Sequence, residues 1–185
     1  MPPDHRKPTL TTLVVDVRGL APLATRATPE HAVATISEVF RQLGAVVEAG
    51  HGAVNGVLGN CLLAVFADGD PEDDHVAAAA RTALEIRALF EWNGAGRPRR
   101  EVRAGLAFNT GTVVAPRIGS ATDAAFTVVG HAVTVASRLG AQADSGQILI
   151  GAGAAALLSP EFDVRDRGVV DLAGVGPTAV FELVR

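Results

Sequence analysis

The pattern of apolar and polar positions predicts a strand and then a long helix at the start of this chain. Residues 11–17 alternate between the two classes and are rich in β-branched side chains, which is typical of a strand. Residues 29–49 carry apolar side chains at helical spacing, and Thr28 and Pro29 can supply the cap and the first turn. We therefore expect a strand at 11–17 and a helix at 29–49.

A tight hairpin and a second long helix are predicted next. Two apolar runs, residues 54–58 and 61–66, are joined by Gly59 and Asn60, which both tolerate positive φ. Residues 71–74 read Pro-Glu-Asp-Asp, and acidic residues at this point complement a helix dipole, so the second helix is predicted to open there and to run toward residue 92.

The second half of the chain predicts short strands around one further helix, at residues 132–139. The polar segment 117–125 is compatible with two alternatives, a projecting arm or an ordinary surface loop. The predicted strands cover residues 101–108 and 112–115, paired around a turn at 109–111, then residues 126–129 and 147–150, and a closing meander at 164–183. This element order favours an α+β sandwich, in which helices pack on one face of a mostly antiparallel sheet.

Composition and charge narrow the class of protein. A chain of 185 residues suits one domain, which we place at residues 11–185 after a flexible segment at residues 1–10. No apolar stretch approaches the roughly 20 residues that span a bilayer, the start lacks the plan of a signal peptide, and Cys61 is the one cysteine. We therefore expect a cytoplasmic protein with no membrane partner. A net charge of −4 and 4% aromatic residues argue against a nucleic-acid partner.

Several short motifs, in order and at regular distances, resemble one known family. Residues 16–19 resemble the family's Asp-Ile-Arg-Gly, and residues 103–111 resemble its Arg-x-Gly-Ile-Gly-Ile-His-Thr-Gly strand and turn. The most specific block, residues 127–139, is similar to Thr-Val-Ile-Gly-Asp-Thr-Val-Asn-Leu-Ala-Ala-Arg-Leu. Over residues 11–150 the chain thus resembles the catalytic domains of class III adenylate and guanylate cyclases.

The resemblance implies a fold, an assembly and a ligand. The class III cyclase fold is a ferredoxin-like sandwich, and its members dimerise head to tail and build each active site at the interface. Their reaction attacks the α-phosphate of a nucleotide with its own 3′-hydroxyl, assisted by two magnesium ions. For this chain the resemblance implies a homodimer, or a heterodimer with another cyclase domain or a signalling protein. The implied ligand is ATP or GTP, with Mg²⁺ or Mn²⁺ accompanying any nucleotide that binds.

The metal positions of the family fall on Asp16 and Asn60. Asp16 matches the first metal-binding carboxylate, whereas Asn60 stands where relatives carry the second, so one negative charge is missing. By residue type alone, a surface ion pair with Arg18 explains Asp16 and a turn explains Asn60, and both alternatives stay open. The turn expected to face phosphate through its backbone amides consists of Val17, Arg18, Gly19 and Leu20.

The remaining family positions are partly degenerate. Gly56 stands in place of the lysine that reads adenine, and Thr127 stands in place of its acidic partner. Thr134 replaces the asparagine that orients the ribose, while Arg138 keeps the arginine that stabilises charge on the phosphate. Residues 172–176 lack both lysines of the family's Leu-Lys-Gly-Lys-Gly. Without the family motif, Thr127 is an ordinary strand residue and Arg138 a solvated arginine near a helix end.

Two functional hypotheses follow from these losses. The first is a catalytically degenerate cyclase homology domain that serves as a dimerisation, nucleotide-sensing or partner-binding module in intracellular signalling. The alternative is an active or weakly active adenylate or guanylate cyclase that uses Asp16, Arg138 and a divergent pocket. Because several transition-state contacts are missing at once, the sequence favours the first hypothesis.

Overall fold

The structure is a computed structural model, and it describes seven ranges of the chain. These are residues 7–22, 28–67, 74–91, 102–114, 117–120, 123–126 and 128–185, with the backbone alone described for 117–120 and 123–126. None of the helices in these ranges is long and apolar enough to cross a membrane.

Seven of the strands form one sheet, in the order β2-β3-β1-β4-β7-β9-β8, and the other two form a separate ribbon. The strands are β1 (Thr9–Arg18), β2 (Ala53–Leu58), β3 (Cys61–Phe66), β4 (Arg103–Thr112), β5 (Arg117–Ser120), β6 (Asp123–Phe126), β7 (Ile148–Gly151), β8 (Val164–Leu172) and β9 (Gly176–Leu183). In the seven-stranded sheet, β4 and β7 pair in parallel, and the other neighbours pair in antiparallel fashion. The predicted α+β fold with a mostly antiparallel sheet is confirmed.

Among the described residues, four helices accompany the sheet: α1 (Pro29–Ala49), α2 (His75–Glu91), α3 (His131–Gln142) and α4 (Ala152–Ala155). The side chain of Thr28 accepts the first cap bond of α1, from the amide of His31, so the predicted helix and its start are confirmed. Asp74 caps α2 by accepting from the amides of Val76 and Ala77. The other residues predicted to open α2, 71–73, and its predicted end at residue 92 lie outside the described ranges.

The helices lie on both faces of the sheet, which differs from the predicted single face. Leu13, Val15 and Val17 of β1 face a core that α1, α2 and α4 complete. The next side chain on the opposite face of β1, Val14, packs beneath α3. A Cβ atom at Gly140 of α3 would lie 2.7 Å from Val14 Cγ1, so glycine permits this close approach. A helical pattern reveals which side of α3 is buried but not which sheet face it covers.

The predicted hairpin at residues 101–115 is wrong, because β4 runs without a turn through residues 109–111. β1 begins at Thr9, inside the segment predicted to be flexible. It is therefore long enough to pair with residues 109–111 of β4. The hydroxyl groups of Thr11 and Thr110 lie 2.7 Å apart, which ties the two strands together at this point. Segment 117–125, the alternative arm or loop, holds β5 and most of β6, and within the described part of the chain these two strands pair with each other and not with the seven-stranded sheet.

Candidate functional site

The β2–β3 hairpin tip brings Asn60 to the end of β1. Leu58 pairs with Cys61, so Gly59 and Asn60 form the predicted two-residue turn. Gly59 alone adopts positive φ there, at 61°, which is the pattern of a turn with glycine at its first central position. The amide of Val17 donates to the carbonyl oxygen of Asn60 at 2.9 Å and fixes the tip against β1. That amide is therefore not free to face a phosphate, which corrects the prediction for Val17.

Asp16 and Asn60 are in direct contact. The Asn60 Nδ2 atom donates to Asp16 Oδ1 at 2.5 Å and to the carbonyl oxygen of Val17 at 3.0 Å. Both neighbours are acceptors, so the amide nitrogen and not the amide oxygen must face them. Asn60 thus acts as a hydrogen-bond donor where the family places a second acceptor.

Arg18 occupies the other oxygen of Asp16. Its Nε donates to Asp16 Oδ2 at 3.0 Å, and its Nη2 donates to the carbonyl oxygen of Ala141 at 3.3 Å in the last turn of α3. The side chain of Asp16 is 19% exposed and that of Arg18 is 34% exposed, so this ion pair is only partly sheltered from water. The ion pair considered as the alternative for Asp16 is present, and it also links β1 to α3. Sequence alternation placed Asp16 and Arg18 on one face, but no signal pointed to Ala141.

The residues at this site do not fit a pair of divalent cations as they are arranged. Mg²⁺ takes oxygen ligands and uses one or two carboxylates of a protein. Here both oxygens of Asp16 already accept from the chain's own donors, and Asn60 presents N–H groups. Within the described ranges, no group of three or more His, Cys, Asp or Glu side chains could hold a metal ion.

Thr134 and Arg138 lie on an exposed side of α3 and away from Asp16. Arg138 Nε donates to the carbonyl oxygen of Ala173 at 3.0 Å, in the turn between β8 and β9. Thr134 Oγ1 bonds back to the carbonyl oxygen of Gly130 at 3.3 Å. Asp16 is linked through Arg18 to Ala141 in the last turn of α3, whereas Arg138 reaches the turn between β8 and β9. One copy of the chain does not bring these two groups together.

The base-reading and turn positions add little to the site. Gly56 lies in β2, and a Cβ atom there would meet no atom within 4 Å, so the position is open but offers no side-chain donor. Thr127, the other predicted base-reading position, lies outside the described ranges. Gly19 adopts φ of 84° and leads into a helical turn that begins at Leu20.

Arg103 is a charged residue near this site that sequence reasoning did not single out. It pairs in register with Arg18, at the end where β1 and β4 run side by side, and its side chain is exposed. The two strands were both predicted, but the register that brings two arginines together needs the sheet pairing. The end of β1 therefore carries two guanidinium groups and one carboxylate.

Cys61 gives a direct reporter of the charge on Asp16. The two residues pair in register, and the pKa of the Cys61 thiol is raised, first by burial and then by the negative charge of Asp16. We expect native Cys61 to react slowly with iodoacetamide at pH 8, because little thiolate is present. Asp16→Asn should raise the rate by about two- to fivefold, since it removes the smaller of the two causes. Asp171→Asn, on β8, is the matched control, and an equal effect of both changes would contradict the assignment.

Comparison with protein families gives a match over nearly the whole chain. The family described as Adenylate and Guanylate cyclase catalytic domain matches residues 3–184. Among individual proteins, the chain is 30% identical over 149 residues to Adenylate cyclase 1 of Rhizobium meliloti (strain 1021). That similarity covers 78% of this chain and 22% of the relative, so the chain spans about a fifth of the relative's length.

Solved structures of similar shape belong to the same class of domain. The adenylyl cyclase CyaB from P. aeruginosa superimposes with a TM-score of 0.85, covering 98% of this chain and 96% of that one at 21% identity. The dimeric guanylyl cyclase domain of the RhoGC fusion protein from Blastocladiella emersonii gives a TM-score of 0.83 at 18% identity, with 98% of each chain covered. At these identities the likeness establishes the fold, and the predicted class III cyclase fold is confirmed.

Proposed function

The chain belongs to the family of adenylate and guanylate cyclase catalytic domains, and we propose that it is a catalytically degenerate member acting as a binding module. The observation that carries the proposal is the set of hydrogen bonds that the Asp16 carboxylate accepts. Its two carboxylate oxygens accept from Arg18 and Asn60, and Asn60 supplies an N–H donor in place of the second carboxylate of a metal-binding pair. The module would serve signalling by dimerising and by binding a nucleotide or a protein partner.

The loss of activity follows from the electrostatics of the family's reaction. Attack of a 3′-hydroxyl on an α-phosphate requires preorganised positive charge on the phosphates, supplied in the family by metal ions and by cationic side chains. Removing one such preorganised contact typically costs about 3 kcal/mol, or about a hundredfold in rate. This chain lacks the second carboxylate, the ribose asparagine and both phosphate lysines, so we expect turnover at background level.

Dimerisation is part of the proposal because Asp16 and Arg138 do not meet within one copy of the chain. Asp16 is linked to the end of α3 through Arg18, and Arg138 reaches the turn between β8 and β9, so we expect two copies in head-to-tail orientation to place both beside one ligand. We propose a homodimer for this arrangement. A heterodimer with an intact cyclase domain or a signalling protein is the alternative partner arrangement. Location in the cytoplasm stays a prediction of the sequence.

A direct assay of product tests the proposal. The purified protein is incubated with ATP or GTP and Mn²⁺ or Mg²⁺, and cyclic nucleotide is quantified by mass spectrometry beside an Asp16→Ala variant. We expect background-level product from both proteins. Clear product from the natural sequence that disappears in Asp16→Ala would establish an active cyclase and overturn the proposal.

A further inference from the structure

We propose that Arg18, assisted by Arg103, is the resident cation of this site, so that a nucleoside triphosphate binds here without a metal ion. The proposal rests on the proposed function, because it names how the degenerate site would take its ligand. It starts from the misfit between this site and divalent cations. In the family, divalent cations balance the negative charge of two carboxylates and a polyphosphate. In this chain, the positive charges of arginine side chains would take that place.

The charge balance at the end of β1 is already positive. Arg18 and Arg103 bring two positive charges to the paired ends of β1 and β4, and Asp16 brings one negative charge. Asn60 is neutral, so the balance over these four side chains is one positive charge. A polyphosphate is therefore attracted to this set of residues with no metal present. With an aspartate at position 60 the same four positions would sum to zero.

Both guanidinium groups have donors to offer. Arg18 uses Nε on Asp16 and Nη2 on Ala141, and its side chain stays 34% exposed. A guanidinium group carries five N–H donors, so further donors of Arg18 remain for a ligand. The side chain of Arg103 is exposed and makes no hydrogen bond or ion pair with another residue in the described ranges. Planar guanidinium groups bind phosphate oxygens in a bidentate manner, which a single point charge cannot do.

The contact with Asp16 and Ala141 holds Arg18 in place before any ligand arrives. Its two bonds join the end of β1 to the last turn of α3, so the long side chain is already ordered. A preorganised cation loses less conformational entropy on binding than a mobile surface arginine. Arg18 therefore acts as the fixed anchor for phosphate, and Arg103 adds charge beside it.

Calorimetric titration tests this inference. ATP and GTP are titrated into the full chain in EDTA and, separately, in excess Mg²⁺. We expect one nucleotide to bind in EDTA with an affinity within about threefold of that in Mg²⁺. Arg18→Gln should weaken binding in EDTA by at least about tenfold. Arg81→Gln, which removes an exposed arginine paired with Glu161 elsewhere, is the matched control and should bind as the natural sequence does.

Arg103→Gln keeps the test decisive if Arg18→Gln loses its fold. Because the side chain of Arg103 makes no contact with a partner among the described residues, its replacement should leave the melting temperature unchanged and still weaken binding by about threefold or more. Binding that requires Mg²⁺, binding unaffected by both arginine substitutions, or no binding of either nucleotide would each overturn the inference.

The same samples separate this inference from the proposed function. After each titration in Mg²⁺ or Mn²⁺, the solution is analysed for cyclic nucleotide by mass spectrometry. Absence of binding together with absence of product overturns the metal-free site and leaves the degenerate domain standing. Formation of product overturns the degenerate domain, whatever the affinities are.

Discussion

Asn60→Asp is expected to lower the melting temperature of the metal-free protein by about 2–12 °C and to make that temperature rise when Mn²⁺ is added. The amide nitrogen of Asn60 donates to both Asp16 Oδ1 and the carbonyl oxygen of Val17. An aspartate would present only acceptors to these two acceptors, and it would set a second negative charge against Asp16. Asn60 is exposed, so losing its two hydrogen bonds costs about 1–3 kcal/mol, and each kcal/mol is about 2–4 °C in a domain of this size.

Metal ions should restore the stability that this substitution removes. A divalent cation between two carboxylates cancels their repulsion, and a ligand that binds only the folded state raises its melting temperature. Thermal melts of both proteins in EDTA and in millimolar Mn²⁺ measure the effect. Leu58→Asp adds the same charge to the same hairpin at a side chain that is 86% exposed, and it is the control. An Asn60→Asp protein that is as stable as the natural sequence in EDTA, or that ignores Mn²⁺, would contradict the hydrogen-bond arrangement.

Phe108→Ala is expected to be the most destabilising single change considered for this chain. Phe108 lies in β4, pairs in register with Leu13 of β1 and Ile150 of β7, and is fully buried in the core beneath α1 and α2. Truncating such a side chain costs about 3–5 kcal/mol, because transfer free energy is lost and a cavity remains. Domains of this kind are stable by only about 5–15 kcal/mol, so a large share of the total disappears.

Urea unfolding followed by circular dichroism measures this loss. We expect the midpoint to fall with little change in the slope of the transition. Leu157→Ala is the control, since that leucine is 56% exposed and its truncation should change stability by less than about 0.5 kcal/mol. A Phe108→Ala protein within about 1 kcal/mol of the natural sequence would mean that β4 is not the centre of the core.

The local elements were predictable because their signals are local. Helix α1 begins at the Thr28 cap and keeps its apolar spacing to residue 49, and the Gly59-Asn60 tip joins two uninterrupted apolar runs. The failure at residues 109–111 has a different origin. Asn, Thr and Gly in sequence are typical of a turn, but pairing with a long β1 holds them in strand conformation, and that partner is distant in sequence.

The candidate site was predictable in its residues but not in its contacts. Motif order placed Asp16, Asn60 and Arg138 at family positions, and the missing charge at Asn60 can be read from the sequence alone. Three features needed the fold: the direction of the Asn60 amide, the bond from Arg18 to Ala141, and the bond from Arg138 to the turn between β8 and β9. Each depends on pairing between segments that are far apart in the chain.

The most direct test of the central claim is a crystal structure of the protein grown with Mn²⁺ and a nucleotide, with anomalous scattering recorded for manganese. The account predicts no manganese peak at Asp16, with the Nε of Arg18 and the Nδ2 of Asn60 still bonded to its two carboxylate oxygens. A manganese ion coordinated by Asp16, with Arg18 displaced, would contradict the account. It would indicate that this chain binds metal ions as metal-dependent cyclases do.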